Sequence, residues 1–296
     1  MSETRKGISA MIAACTIWGL SPLFYKLLAA VPPGEVLAHR TIWSFVFFAV
    51  ILIVQGRFIA LFQSIASARS FCIIFFASLM IATNWFLFIY SVQVGRVLEA
   101  SLGYYIFPLV AVFLGTVVFR ERLVLVQWGA VVLAAAAVVV LTIGLAVPPW
   151  IALTLAITFG LYGVVKKRLS IGPVAAEVLI LLPIAALWLY LMHSGLATEG
   201  RPGAVWGLDV TTTALLIATG PMTGGPLMLF SYASKRVDMA SLGLIQYINP
   251  TLQFGCAVLI FLEPFTIWHA IAFPLIWLAL AVYSVAVLRR MRAVKL

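Results

Sequence analysis

A chain of 296 residues that is 64% apolar and 9% charged cannot cover its surface with polar groups in water; ordinary soluble domains run at about 45–50% and about 25%. At roughly 20 apolar residues per bilayer crossing, ten spans with short connections use nearly the whole length, which excludes an accompanying soluble domain. The net charge of +10 falls in short basic clusters between apolar runs, a pattern of membrane orientation rather than of a nucleic-acid partner.

Apolar runs bounded by charge, Gly or Pro predict helices at 7–29, 34–55, 71–93, 98–118, 124–144, 149–167, 173–193, 211–234, 239–261 and 266–288. In the first, Ile12-Ala13-Ala14-Cys15 after Arg5-Lys6 is similar to a lipoprotein cleavage box, but the apolar run continues through Val31 and reads as a span. Lys26 ends that span and reads as a snorkelling side chain. The second opens with Glu35, His39 and Arg40, and Arg40 lies about two turns in. The third carries Asn84 and Trp85. The fourth carries Glu99, Tyr104, Tyr105 and, near its middle, Pro108; the sixth carries Tyr162. The eighth holds Gly220-Pro221 and Gly224-Gly225-Pro226, so it reads as bent or locally unwound, and its GxxxG spacing favours close helix packing. The ninth gathers Gln246, Tyr247, Asn249, Pro250 and Gln253.

Fifteen of the nineteen basic residues fall on one side of this arrangement: Arg5 and Lys6, Arg57 and Arg69, Arg120 and Arg122, Lys166 to Arg168, Lys235 and Arg236, and Arg289, Arg290, Arg292 and Lys295. The other side receives only Arg96 and Arg201. Both termini are therefore expected in the cytoplasm, in keeping with a bacterial inner membrane.

Sliding the chain on itself by 140 to 142 residues brings five segments into register. Trp18-Gly19-Leu20 with Lys26 matches Phe159-Gly160-Leu161 with Lys167, and Glu35-Val36-Leu37 matches Glu177-Val178-Leu179. Thr83, Leu87 and Ser91 match Thr223, Leu227 and Ser231. Arg96-Val97 with Ala100-Ser101-Leu102-Gly103 matches Arg236-Val237 with Ala240-Ser241-Leu242-Gly243. Pro108 and Glu121 match Pro250 and Glu263. Five helices per repeat is an odd number, so residues 147–296 are expected upside down relative to residues 1–146. The expected fold is all-α, ten transmembrane helices as two inverted five-helix repeats in one membrane domain. Such repeats give carriers two related shapes, with substrate bound near the midplane.

Trp18-Gly19, Ala38-His39-Arg40, Asn84-Trp85, Leu98 to Tyr104, Arg120-Glu121-Arg122, Phe159 to Gly163 and Leu244 to Gln253 together resemble the EamA family of the drug/metabolite transporter superfamily, in its RarD-type branch. The resemblance covers nearly the whole chain and implies ten helices and export of amino acids, other metabolites or drugs; RarD-type members are commonly labelled chloramphenicol-resistance permeases. One departure is Phe107, where relatives, like this chain at Asn249, place Asn before the proline.

Polar groups deep in helices seek a cavity or a partner. Asn84, Gln246, Asn249 and Gln253, with Trp18, Trp85, Tyr104, Tyr105, Tyr162 and Tyr247, read as amide handles and aromatic walls of a substrate cavity; the competing reading is interhelical hydrogen bonding and interfacial anchoring. His39 and Arg40 join this group. On the resemblance, Arg40 is the residue to meet an anionic group, and the alternative is an ion pair with Glu35 or Glu99. Pro108 and Pro250 read as hinges or as simple helix shaping. No Asp or Glu occupies a span centre, since Glu35, Glu99, Glu121, Glu177, Asp238 and Glu263 lie near helix ends and Glu199 and Asp209 in an external loop. Transport is thus expected to be facilitative, or coupled through an edge carboxylate or His39.

Cys15, Cys72 and Cys256, with His39, His193 and His269, form no metal or disulfide pattern. No cofactor motif, nucleotide-binding loop, GxSxG or HExxH is present, which argues against a membrane enzyme or a self-contained ATP-driven pump. A channel would want a filter-like sequence or a ring of charge, and none stands out. The expected partners are a small-molecule substrate and the lipid bilayer. The oligomeric state is left open, a monomer being compatible with the chain. A secondary transporter exporting small amphipathic metabolites, amino acids foremost, is the reading, with a drug exporter as its alternative.

Overall fold

In a bilayer every backbone polar group must find a partner within the protein, and helices do this locally. The computed structural model describes residues 3–119, 125–146, 148–168, 174–194, 204–237 and 239–294, and every regular element in them is helical. The helices are α1 (Glu3–Leu27), α2 (Pro33–Val54), α3 (Phe58–Ser64), α4 (Ala68–Gln93), α5 (Val97–Phe119), α6 (Leu125–Leu145), α7 (Trp150–Arg168), α8 (Val174–His193), α9 (Val210–Ser234), α10 (Met239–Ile245), α11 (Ile248–Gly255) with a π turn at Cys256–Ile260, and α12 (Ile267–Val294). Among the described residues eight are long and apolar enough to cross a membrane, and Trp150–Val165 of α7 is a shorter apolar stretch. The Arg120-Glu121-Arg122 motif, Glu199, Arg201, Asp238 and Lys295 lie outside the described residues.

Three expectations change. The run expected as one helix over 239–261 is broken between α10 and α11 at Gln246 and Tyr247. Pro250 explains the place, because it has no N–H and its ring crowds the carbonyl four residues back, on Gln246. That carbonyl accepts instead from Asn249 N at 3.1 Å. Pro108, by contrast, lies inside an uninterrupted α5. Second, α9 is not unwound: it runs unbroken through Pro221 and Pro226. Third, α3 is a short helix in a stretch that the sequence left as a connection, held by Leu61 in a buried cluster with Ile74, Ala175, Ala176 and Ile180.

The described chain forms two compact units: Met1–Leu20 with Gly95–Val164 and Leu229–Leu296, and Ser21–Val94 with Val165–Met228. In the first unit α6 packs along α12. The buried face of α6 is Gln127, Ala130, Ala134, Ala137 and Leu141, a spacing of alternating three and four residues that makes one straight seam. Gly144, at the end of α6, meets the ring of Trp268, at the start of α12, so the two run antiparallel. Also in this unit α5 packs on α11, Gly19 approaches Leu252 and Gly160 approaches Val110.

In the second unit α2 packs along α8. Gly34 at the start of α2 abuts Trp188 near the end of α8, while Phe45, Phe48 and Leu52 pack with Ala175, Ala176 and Ile180 at the start of α8, so this pair is antiparallel too. Helix α9 lies against α2 through its glycines. A Cβ at Gly220 would strike the backbone carbonyl of Trp43, and one at Gly224 would strike the ring of Phe47. Small residues let helix backbones approach closely where no hydrophobic force drives association.

Gly220→Ala should therefore lower stability by about 1–3 kcal/mol, the range for overpacking, because a backbone atom cannot swing aside. Gly163→Ala, which meets nothing within 4 Å, is the control. Thermal unfolding of the two variants in detergent checks the difference.

Candidate functional site

The candidate residues fall in both units, His39, Arg40, Asn84 and Trp85 in one and Trp18, Tyr104, Tyr105, Tyr162, Gln246, Tyr247, Asn249 and Gln253 in the other. In the unit built on α2 and α8, Arg40 is buried, and its charge is met by aromatic faces and a hydroxyl. Its guanidinium carbon lies 4.2 Å from the centre of the Trp85 ring and 5.6 Å from that of Tyr25. Its Nε donates to Thr223 Oγ1 at 2.9 Å, and Thr223 in turn donates to the Thr219 carbonyl. Cation–π contact of this kind is worth about 2 kcal/mol or more when desolvated. Asn84 is buried one residue before Trp85 on α4.

The two carboxylates considered as partners of Arg40 are engaged elsewhere. Glu35 is fully buried, and its Oε1 accepts the backbone N–H groups of Val205 and Trp206, each at 2.9 Å. Glu99 accepts Ile151 N at 2.8 Å and pairs with Arg96 at 3.1 Å. Both do what a carboxylate does best in a nearly dry setting, taking up amides that precede or open a helix. Glu263 repeats the device: its two oxygens accept Val97 N and Leu98 N, each at 2.7 Å, at the start of α5.

Beside Glu35 stands His39, which stacks on Trp206 with ring centres 4.5 Å apart and planes at 21°. Trp43, one turn further on, is also against Trp206, at 5.9 Å. Neither nitrogen of His39, nor Trp43 Nε1, nor Ser44 Oγ has a hydrogen-bond partner among the described residues, although all are buried.

In the other unit the aromatic residues form a wall. Phe159 is edge-on to Tyr104 and Phe107, the latter with ring centres at 4.7 Å, and stacks on Tyr162. Phe107 thus spends its side chain on packing. Tyr105 donates to Thr251 Oγ1 at 2.7 Å, since the Thr251 hydroxyl gives its own proton to the Tyr247 carbonyl. Trp18 lies 6.1 Å from Phe230. Gln253 donates to Asn249 Oδ1 at 2.9 Å while its own Oε1 is buried without a partner among the described residues. Gln246 and Tyr247 are half-buried at the break between α10 and α11.

Sequence reasoning passed over Thr223, Thr251, Trp43 and Trp206 as site residues. Thr223 was visible only as one member of a matched pair, and a tryptophan in a connection carries no periodic signal. Among the described residues no group of His, Cys, Asp and Glu is placed to hold a metal ion.

Glu263→Ala removes the acceptors of the Val97 and Leu98 amides, and at about 1.5–3 kcal/mol for each such bond it should cost about 3–6 kcal/mol. Glu263→Gln, with one acceptor oxygen, should recover part of this. Unfolding of both variants measured beside the parent protein checks the order.

Comparison with known proteins agrees with this picture of a membrane protein. The EamA-like transporter family matches residues 5–143. An uncharacterized transporter of Vibrio cholerae is 37% identical over 286 residues, covering 96% of this chain and 93% of its own. Protein RarD of Streptomyces exfoliatus is 39% identical over 295 residues, covering 98% and 92%. A solved structure described only as the crystal structure of a protein has a TM-score of 0.63 at 20% identity over 95% of this chain and 97% of that one, a likeness of fold alone.

Proposed function

The chain belongs to the EamA-like transporter family and is a multi-pass membrane transporter rather than an enzyme, and we propose that it exports small amphipathic metabolites, amino acids foremost, across a bacterial inner membrane. The observation that carries the substrate class is Arg40, a buried guanidinium set against Trp85 and Tyr25. A side chain that pairs a bidentate cation with flat aromatic surfaces suits a molecule with a carboxylate at one end and an apolar body at the other.

Alternating access by two inverted halves, 1–146 and 147–296, is the proposed mechanism, with ten spans and both termini in the cytoplasm. In support, elements matched between the halves pack on one another: α2 with α8, α5 with α11 and α6 with α12. The first and last of these pairs are antiparallel, as inversion requires. The approach of Gly19 to Leu252 and that of Gly160 to Val110 are the same contact with the halves exchanged, at offsets of 141 and 142 residues. In this reading α7 and the broken segment from α10 through the π turn supply the ninth and tenth crossings, and Pro108 and Pro250 flank the moving parts.

The alternative, export of neutral aromatic drugs, draws support from the wall of Tyr104, Phe107, Phe159 and Tyr162, where Phe107 removes a polar handle.

Reporter fusions after Lys167 should read cytoplasm, and fusions after Val31 and Ala204 should read the outside. A cytoplasmic signal at Ala204 would remove the ten-span arrangement.

In proteoliposomes, Arg40→Ala should abolish transport of amino acids and leave a neutral aromatic compound much less affected. Arg40→Lys should recover the amino acids only in part, because the fork that grips a carboxylate is lost. Thr223→Val, which removes the hydrogen bond from Arg40 together with the one Thr223 gives to the Thr219 carbonyl, should lower the melting temperature slightly and leave the discrimination between substrates in place. Equal loss of both substrates in Arg40→Ala, with a fall in melting temperature like that of a core defect, would assign Arg40 to packing instead.

A further inference from the structure

The segment Ala204–Asp209, leading into α9, is tied down at both ends. Asp209 Oδ1 accepts Thr212 N at 2.7 Å, and the Thr212 side chain together with this backbone amide holds the Asp209 carboxyl below the usual carboxylate range. At the other end Glu35 grips the amides of Val205 and Trp206, and the Trp206 ring covers His39. Three groups compete here for one carboxylate. His39 Nε2 stands 4.0 Å from Glu35 Oε1, too far for a hydrogen bond, while that oxygen already accepts two amide protons. The His39 side chain is 5% exposed and that of Glu35 is 0% exposed.

A neutral imidazole tolerates this place. An imidazolium does not, because it has two N–H donors to satisfy and a charge to hydrate, and neither ring nitrogen has an acceptor among the described residues. Lifting Trp206 would admit water to the ring and release Glu35 from the two amides, leaving it free to pair with the imidazolium. The other titratable or charged groups around this end of the unit are few. Arg40 adjoins on α2, and His193, ending α8, interacts electrostatically with His39 while hydrogen-bonded to the Leu189 carbonyl. Tyr25 and Lys26 end α1, Tyr90 lies on α4, and α9 carries none from 210 to 228.

We propose that His39 is a proton-binding site whose occupancy excludes the seated Trp206 segment, Glu35 exchanging the Val205 and Trp206 amides for the imidazolium. The proton comes from the water on the side of that segment and adds to one ring nitrogen; no other bond is made or broken. Release of the segment on protonation makes this a point where an inward-moving proton drives outward transport. The inference rests on the transporter reading for what the proton accomplishes, not for where it binds.

Hydrogen exchange on the full chain in nanodiscs tests it, at about pH 7.5 and about pH 5.5, on either side of an ordinary histidine. After correction for the intrinsic rate, the Val205 and Trp206 amides should exchange at least ~10-fold faster at the lower pH, since fast-exchanging amides report local release. His39→Phe keeps the stack and cannot titrate, so those amides should stay protected at both values; His39→Arg carries a permanent charge and should leave them unprotected at both. Nitrogen-15 histidine NMR, simple with three histidines, provides a second measurement that needs no variant to fold: the His39 ring should convert to imidazolium over the same interval as the amides open. Protection independent of pH in the parent protein, opening that persists in His39→Phe, or a His39 ring neutral throughout would overturn the proposal. In proteoliposomes the ratio of export with and without an inward proton gradient should exceed one in the parent protein and fall to one in His39→Phe. If no probe substrate moves at all, the transporter's proposed substrate class fails, and the exchange data still decide the proton site.

Discussion

Lipid offers no hydrogen bonds, and the structure is organised by the need to satisfy the backbone without water. Helix interiors meet this need by themselves, so the difficult places are helix starts and breaks. Glu35, Glu99 and Glu263 answer at three such places, each accepting backbone amides from a segment distant in the chain: 205–206, 151 and 97–98. A carboxylate used in this way fixes which helix ends meet. It also explains why these three acidic residues lie near helix ends rather than at span centres.

Between these ends the helices are joined by shape. The alternating three- and four-residue seam of α6, the glycines of α9 against Trp43 and Phe47, and Gly34 against Trp188 replace the hydrophobic force that lipid cannot supply. Packing of α2 on α8, of α5 on α11 and of α6 on α12 places sequence-distant residues side by side within each unit. Thr251 on α11 reaches Tyr105 on α5 in this way, while Thr223 reaches Arg40 from α9, which lies against α2 through its glycines.

The same economy shapes the polar groups proposed to meet substrate or proton. Arg40 lies against aromatic faces and donates to the Thr223 hydroxyl, while Glu35 and Glu99 are engaged with backbone amides. His39, Trp43 and Ser44 hold buried polar atoms that are unmet among the described residues. Clustered on two turns of α2, they mark the part of that unit with the most to gain from another arrangement. The aromatic wall around Phe159 is its contrast, a surface already content with its own packing.

From composition and the apolar runs, the sequence by itself determined that this chain lies in a membrane, that its elements are helices, and, to within a few residues at most ends, where the unbroken long ones lie; the first helix starts four residues earlier and the last runs six residues further than expected. Those properties depend on solvent and local periodicity, which a linear chain displays. The motifs Ala38-His39-Arg40 and Asn84-Trp85 also pointed to residues that do come together in one unit. Only the tertiary structure decided that Pro250 breaks its helix while Pro221 and Pro226 do not, because the outcome depends on which carbonyls find other donors. It alone turned Glu35 from a prospective partner of Arg40 into the anchor of the Trp206 segment. That choice between a guanidinium and two amides 170 residues away is a matter of distance in space, and no spacing along the chain encodes it.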